Sequence, residues 1–286
     1  MADKGNSMAG ATSIEVPRDF ETLKALVVER KATLPRRLMQ VAVHALESPD
    51  EIAFGTAASI AAAADVQPST LVRFAQHFGY EGFSDLQRVF RERLRGRTST
   101  YEERLSAIQA GVPTGSEEAA ILEGFLSAAS HSIESLALAS NVKTFERAVR
   151  LLARADTIYL IAQRRSFPIT SYMAYAFGKL KIRNILIGSA VGIDPETLAM
   201  AGPRDAAIAV SFAPYASATV EHARQLAAQS VPMVAVTDSA LSTIAELSSE
   251  WFEVSESDFS GFRSLSATMA MAMALTVGVA ERRRSG

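Results

Sequence analysis

The sequence predicts an α/β protein in two parts, an N-terminal all-helical bundle built around a helix-turn-helix and a doubly wound parallel sheet of five strands. Two observations predict it. Thr56 to Gly79 holds two short helical patterns divided by a tight break. From Thr157 onward, short apolar runs alternate with helical stretches: TIYLIA, NILIG, AAIAVS, VPMVAVTD and WFEVS. Continuous apolar strands separated by helices describe a parallel sheet covered on both faces.

The bulk numbers bound the rest. A chain of 286 residues has room for roughly two domains. Its 48% hydrophobic and 21% charged composition is that of an ordinary globular protein. A net charge of −2 means that any nucleic-acid surface must be local. Arg88, Arg91, Arg93, Arg95 and Arg97 form one basic stretch, read either as such a surface or as a solvated helix face. Cysteine is absent, so disulfides and thiolate metal sites are excluded. That usage fits a reducing cytoplasm, where the protein is placed. The longest uncharged apolar segment, Ala267 to Ala280, is shorter than the ~20 residues that a bilayer requires, so no membrane association is expected.

Taken in order, residues 1–19 read as a flexible tail with no apolar signal region. Residues 20–96 read as the helix-turn-helix domain. Leu23, Leu26 and Val27 begin one helix, and Leu38, Val41, Ala42, Ala45 and Leu46 form the inner face of a second, stopped by Ser48-Pro49-Asp50. Ala57, Ile60, Ala61 and Ala64 line one face of the first helix of the motif. Leu71, Phe74, Ala75 and Phe78 line one face of the second at i, i+3, i+4 and i+7. Gly79 suits a left-handed helix end. Ser84 with Gln87 reads as a capping box that opens the next helix.

Residues 97–118 read as a linker, rich in Gly, Ser and Thr with one Pro, and residues 119–286 as the α/β domain. Helices are expected at Pro168 to Lys181, near Pro195 to Ala201, at Ala216 to Ser230, at Ser242 to Leu247 and from Arg263 to Arg283. The last is rich in Met and Ala, which suits either a buried helix or an oligomer interface.

Two places invite a ligand. The outer face of the second motif helix carries polar groups suited to a DNA groove. Arg73 matches the guanine edge, Gln67 an adenine edge or a phosphate, and Ser69 and Thr70 suit phosphates. In a doubly wound sheet, small ligands sit beyond the carboxyl ends of the strands, where strand order reverses. The loop after TIYLIA offers Arg164, Arg165 and Ser166 at a helix start marked by Pro168, a place that favours an anion. Ser166 is either a ligand contact or a helix cap. The loop after AAIAVS offers Ser211 and Tyr215, with Tyr215 able to roof a polar ligand or to pack. Thr237, Asp238 and Ser239 read as turn formers. No pair of the four histidines has metal-ligand spacing, and no P-loop, nucleophile elbow or cofactor motif is present.

With both halves in view, the chain resembles the RpiR/MurR family of bacterial transcriptional regulators, which join an N-terminal helix-turn-helix to a C-terminal sugar isomerase (SIS) domain. SIAAAADVQPSTLVRFAQHFGYEGFSDLQRVF carries the resemblance, most specifically from Val72-Arg73-Phe74 to Gly79-Tyr80-Glu81-Gly82-Phe83. The resemblance extends from about Phe20 over nearly the whole chain. It implies a homodimer or homotetramer, a double-stranded DNA operator and an effector that is usually a sugar phosphate. The SIS half departs from the family pattern. The loop AQRRSFP has no glycine, and of three usual hydroxyl positions at Ser211, Ala213 and Ala216 only Ser211 keeps one. Arg164 and Arg165 compensate with charge, or the effector is an unphosphorylated polyol or sugar acid, or the pocket is weakened or vestigial. The expectation is a non-enzymatic regulator of carbohydrate metabolism genes, a repressor without a cofactor; the alternative is a sugar-phosphate isomerase.

Overall fold

The computed structural model describes residues 16–97, 116–188 and 192–285. Most of the expected tail and linker therefore lie outside the described residues. The chain divides into two compact units, Met1–Ala45 with Pro49–Arg95, and Leu46–Ser48 with Gly96–Gly286.

The first unit is helical: α1 (Phe20–Glu29), α2 (Arg36–Glu47), α3 (Pro49–Phe54), α4 (Ala57–Ala63), α5 (Pro68–His77) and α6 (Phe83–Arg97). Helix α4 starts at a reciprocal cap, in which Thr56 Oγ1 accepts from Ser59 N and Ser59 Oγ accepts from Thr56 N. It ends in a turn where Asp65 takes the left-handed conformation at φ +51° and Val66 N donates back to Ala61 O. Pro68 opens α5 with its fixed φ. The inner faces close on Ile60, Leu71, Phe74 and Phe78, all at most 2% exposed. Phe74 and Phe78 meet edge to face at 5.0 Å. Gly79, at φ +89°, ends α5 as its sequence position implies. Just ahead of α1, Pro17 is buried and its carbonyl accepts from Tyr80 Oη at 2.7 Å. The capping box at Ser84 does not form. Helix α6 has already begun at Phe83, and buried Gln87 turns inward to donate from Nε2 to Ile52 O and Gly55 O.

In the second unit, α7 (Glu117–Ala139) and α8 (Val142–Ala153) precede the sheet. The alternation then runs β1 (Ile158–Ala162), α9 (Phe167–Lys179), β2 (Asn184–Ile187), α10 (Asp194–Ala199), β3 (Ala206–Val210), α11 (Ser217–Ala228), β4 (Met233–Thr237), α12 (Thr243–Glu246) and β5 (Glu250–Glu253). All pairings in this sheet are parallel, in the order β2-β1-β3-β4-β5, with Leu160 level with Leu186 and Ile208. Every residue of β1, β3 and β4 is buried. Successive side chains alternate between faces. Leu160, Ile208 and Val234 pack with Leu152 of α8, Met173 of α9 and Leu275 of the last helix. Tyr159, Ala209 and Ala235 pack with Leu198 of α10, Leu226 of α11 and Ile244 of α12.

The final helix, α13, spans Ser266–Arg284 and not Arg263 onward. A two-stranded hairpin precedes it, β6 (Asp258–Phe259) and β7 (Phe262–Arg263). Ser260 and Gly261 both take positive φ at its turn, which matches the right-handed twist of the two short strands. Along one face the Met-rich stretch is a buried helix: Ala267, Met271, Ala272, Leu275 and Val279 are buried in the core it shares with the sheet.

Candidate functional site

On the helical unit, Gln67, Ser69, Thr70 and Arg73 are brought into one groove of ≈ 400 Å³. Gln67 holds the N-cap position of α5 yet makes no side-chain cap hydrogen bond. Gln67, Ser69 and Arg73 are exposed and Thr70 is half-buried, while Leu71, Phe74 and Ala75 on the opposite side are buried. The helix is thus held from behind and presents its polar face outward. Arg37 and Asp65 line the same groove. The sequence reading missed both: Arg37 belongs to α2, outside the motif in sequence, and Asp65 falls in the break between the two motif helices.

The basic stretch of α6 is used differently. Arg88 pairs with Asp85, Arg91 Nε donates to Ala53 O, and Arg93 pairs with Asp50 at 3.3 Å while covering the Phe20 ring. Arg91 and Arg93 thus tie α6 to the rest of its unit, while the Arg88–Asp85 pair lies within α6 itself.

On the sheet, strand order reverses between β1 and β3, so the loops that follow them flank one crevice. After β1 the chain makes a 3-10 turn, Arg164–Ser166, with Arg164 at φ +54°. This turn runs directly into α9, whose first turn holds Pro168. Ser166 is buried, yet its side chain does not cap α9. Ser211 is likewise buried just past the end of β3. Among the described residues neither hydroxyl makes a hydrogen bond through its side chain. Arg164 and Arg165 are exposed, and Arg165 Nη2 donates to Ala213 O at 3.0 Å, linking the two loops.

Tyr215 packs inward. Its hydroxyl donates to Asp238 Oδ1 at 2.8 Å. Burial, and then the Asp238 charge, hold its phenol well above the ordinary tyrosine value. Asp238 also accepts from Ala213 N at 3.1 Å and faces Arg263 at 3.8 Å. Thus Asp238, beyond the end of β4, is the residue that fixes the loop after β3. Its reading as a turn former is incomplete. Its partners Tyr215 and Arg263 lie in other elements, and the Ser-Gly turn of the hairpin carrying Arg263 was the one signal in the sequence that pointed there. Helix α11, which follows this loop, has Ala216 at its N-cap and so no side-chain cap, and Thr219 in its first turn buries a hydroxyl that makes no hydrogen bond.

Among the described residues, no three His, Asp or Glu side chains group so as to hold a metal ion, and no helix is long and apolar enough to cross a membrane.

Comparison with known proteins adds to this geometry. Residues 23–95 match the model of the rpiR-family helix-turn-helix domain, and residues 151–278 match that of the SIS domain. Over 99% of its length the chain is 28% identical to the bifunctional protein glk of Paraburkholderia xenovorans (strain LB400), and it spans 42% of that protein. In structure it is similar to the NanR protein of Vibrio vulnificus complexed with ManNAc-6P, with a TM-score of 0.54 and 19% identity over 91% of each chain. It is also similar to the sugar isomerase domain of an RpiR transcription factor from Sphaerobacter thermophilus. There the TM-score is 0.52 and the identity 22%, covering 56% of this chain and 90% of that one. At these identities the structural likeness speaks for the fold.

Proposed function

We infer that this chain, which belongs to the rpiR family by its helix-turn-helix and carries a SIS domain behind it, is a cytoplasmic transcriptional regulator, a repressor controlled by a small carbohydrate-derived effector. Helix α5 enters the major groove, with Arg73 on a guanine edge, Gln67 on an adenine edge or a phosphate, and Ser69 and Thr70 on the backbone. The observation that carries the sensing half is the pair of buried serines, Ser166 and Ser211, on the two loops that flank the crevice. Hydroxyls with no protein partner suit the polar groups of a sugar derivative. The uncapped start of α11 and the charge of Arg164 and Arg165 favour an anionic one, a sugar phosphate or sugar acid. The NanR protein bound to ManNAc-6P is consistent with that class.

A single small module holds DNA weakly, so a homodimer reading a two-fold operator is part of the proposal. We place the contact between copies on α7, where Leu122, Leu126 and Ile133 are 61%, 59% and 47% exposed on one face. Leu126→Glu tests it, with light scattering expected to register the smaller species.

The proposal gives the crevice a binding role and no catalytic one. Asp238, the carboxylate described there, is engaged by Ala213 N, Tyr215 Oη and Arg263. The deciding experiment is a thermal-shift screen of sugar phosphates, sugar acids and polyols against the full chain, joined to an operator-binding assay. An effector present at 100 times its Kd stabilises by ~2.7 kcal/mol. Ser166→Ala and Ser211→Ala should each weaken that shift. Turnover of a sugar phosphate without any DNA binding would replace this reading with an isomerase.

A further inference from the structure

Arg37 stands in the first turn of α2, outside the helix-turn-helix, yet its guanidinium reaches the mouth of the motif. Its Nη1 donates to Asp65 O at 3.0 Å, in the turn between α4 and α5, and to Gln40 Oε1 at 3.1 Å. Both acceptors are neutral. A guanidinium has five N–H donors and stays charged, so these two bonds leave about three donors and the whole charge. The side chain is 64% exposed and lines the groove that also holds Gln67, Ser69, Thr70 and Arg73. The carboxylate recorded beside it among the described residues is that of Asp65, whose Oδ2 lies 4.0 Å from Nη1, outside hydrogen-bond reach, on a side chain 94% exposed. Two bonds, one of them to the backbone carbonyl of the turn, orient the fork beside the groove.

We propose that Arg37 is a phosphate-binding residue of the DNA interface, and that Asp65 is the counter-charge that limits affinity for DNA of any sequence. The proposal rests on the DNA-reading role of α5. A phosphate is the better ligand than a base edge. In helix-turn-helix docking the second helix of the motif fills the major groove, while the elements before it meet the backbone. Arg37 acts from one of those earlier elements and presents the fork that pairs bidentately with phosphate. Such contacts set position and not sequence, so Arg37 contributes alike to all sites. Asp65 places a negative charge on that same surface. Its left-handed backbone, at φ +51°, is one that Asn also adopts readily, so Asp65→Asn removes the charge and keeps the turn.

The test uses the full chain and a mixed-sequence DNA duplex, with binding followed by fluorescence anisotropy across a salt series. Arg37→Gln is expected to lower the slope of log K against log salt by about 0.9. Over the decade below 1 M that is about eightfold in affinity at 0.1 M salt. Arg37→Lys keeps the charge while giving up the bonds to Asp65 and Gln40, and is expected to keep the slope. Asp65→Asn is expected to bind several-fold tighter at low salt, on mixed and selected sequences alike. An unchanged slope in Arg37→Gln, or an equal loss in Arg37→Lys, overturns the assignment of Arg37. Unaltered affinity in Asp65→Asn overturns that of Asp65. If the unsubstituted chain itself binds no duplex in a salt-dependent way, the DNA-reading role of α5 fails first and takes this inference with it.

Discussion

Asp238 is where single side chains decide the shape of the crevice. One carboxylate accepts from Ala213 N and Tyr215 Oη and faces Arg263. Removing a donor from a largely buried carboxylate leaves desolvation uncompensated, so Tyr215→Phe should cost about 1–3 kcal/mol in urea denaturation. The phenol also makes stability depend on pH. Its folded pKa is raised above the 10.0 of a free tyrosine, so its contribution is complete below pH 10 and is lost as pH rises further. Tyr80, raised by burial, acts in the same direction. Alkaline unfolding followed by circular dichroism should therefore be shallower in Tyr215→Phe than in the parent chain. The sequence places Ser166 and Ser211 beyond the ends of their strands, because Ser211 directly follows the apolar run of β3 and Ser166 sits in the short loop between the apolar run of β1 and the Pro-marked start of α9. It conceals Asp238, because the groups that give that carboxylate its role are 23 and 25 residues away in the chain, a separation that no local pattern records.

At the scale of elements, apolar periodicity carries most of the information. The strands of the sheet and the helices around them appear as apolar runs, since burial on both faces leaves no room for alternation. Two elements escape that logic. Gln87 has the spacing of a capping residue, but its amide is drawn inward to satisfy the carbonyls of Ile52 and Gly55 at the end of α3. Gln87→Leu should cost about 1–3 kcal/mol by leaving those carbonyls without their donor, measurable as a lower denaturant midpoint. The β6–β7 hairpin is too short to show a period. It is held by packing: Phe259 lies against α7 where Gly124 has no side chain, and a Cβ at that position would overlap the aromatic ring. Phe125 meets Phe259 edge to face at 5.2 Å beside it. Gly124→Ala should destabilise by about 1–3 kcal/mol through overpacking, despite the better helix propensity of alanine.

For the whole molecule, a regulator is defined by one coupling free energy between its two ligands. If an effector changes DNA affinity by some factor, DNA changes effector affinity by the same factor. Titrating each in the presence and absence of the other should return one common ratio different from one; a ratio of one would mean that the two sites are uncoupled and that the effector does not control DNA binding. The helical unit and the sheet were both legible at this scale, because a change from helical spacing to alternating strands and helices is a long-range signal.

The order β2-β1-β3-β4-β5 has a consequence in time. Its strands are joined through intervening helices, and β1 must wait for β3, some 48 residues later, before its second edge is covered. The helices of the first unit, by contrast, make their backbone hydrogen bonds within a single turn of chain. Closing distant loops before contacts repay the lost entropy slows folding, so the helical unit is expected to acquire its structure sooner than the sheet. During that interval unpaired, wholly apolar strand edges are open to other chains, and the sheet is where aggregation during synthesis should begin.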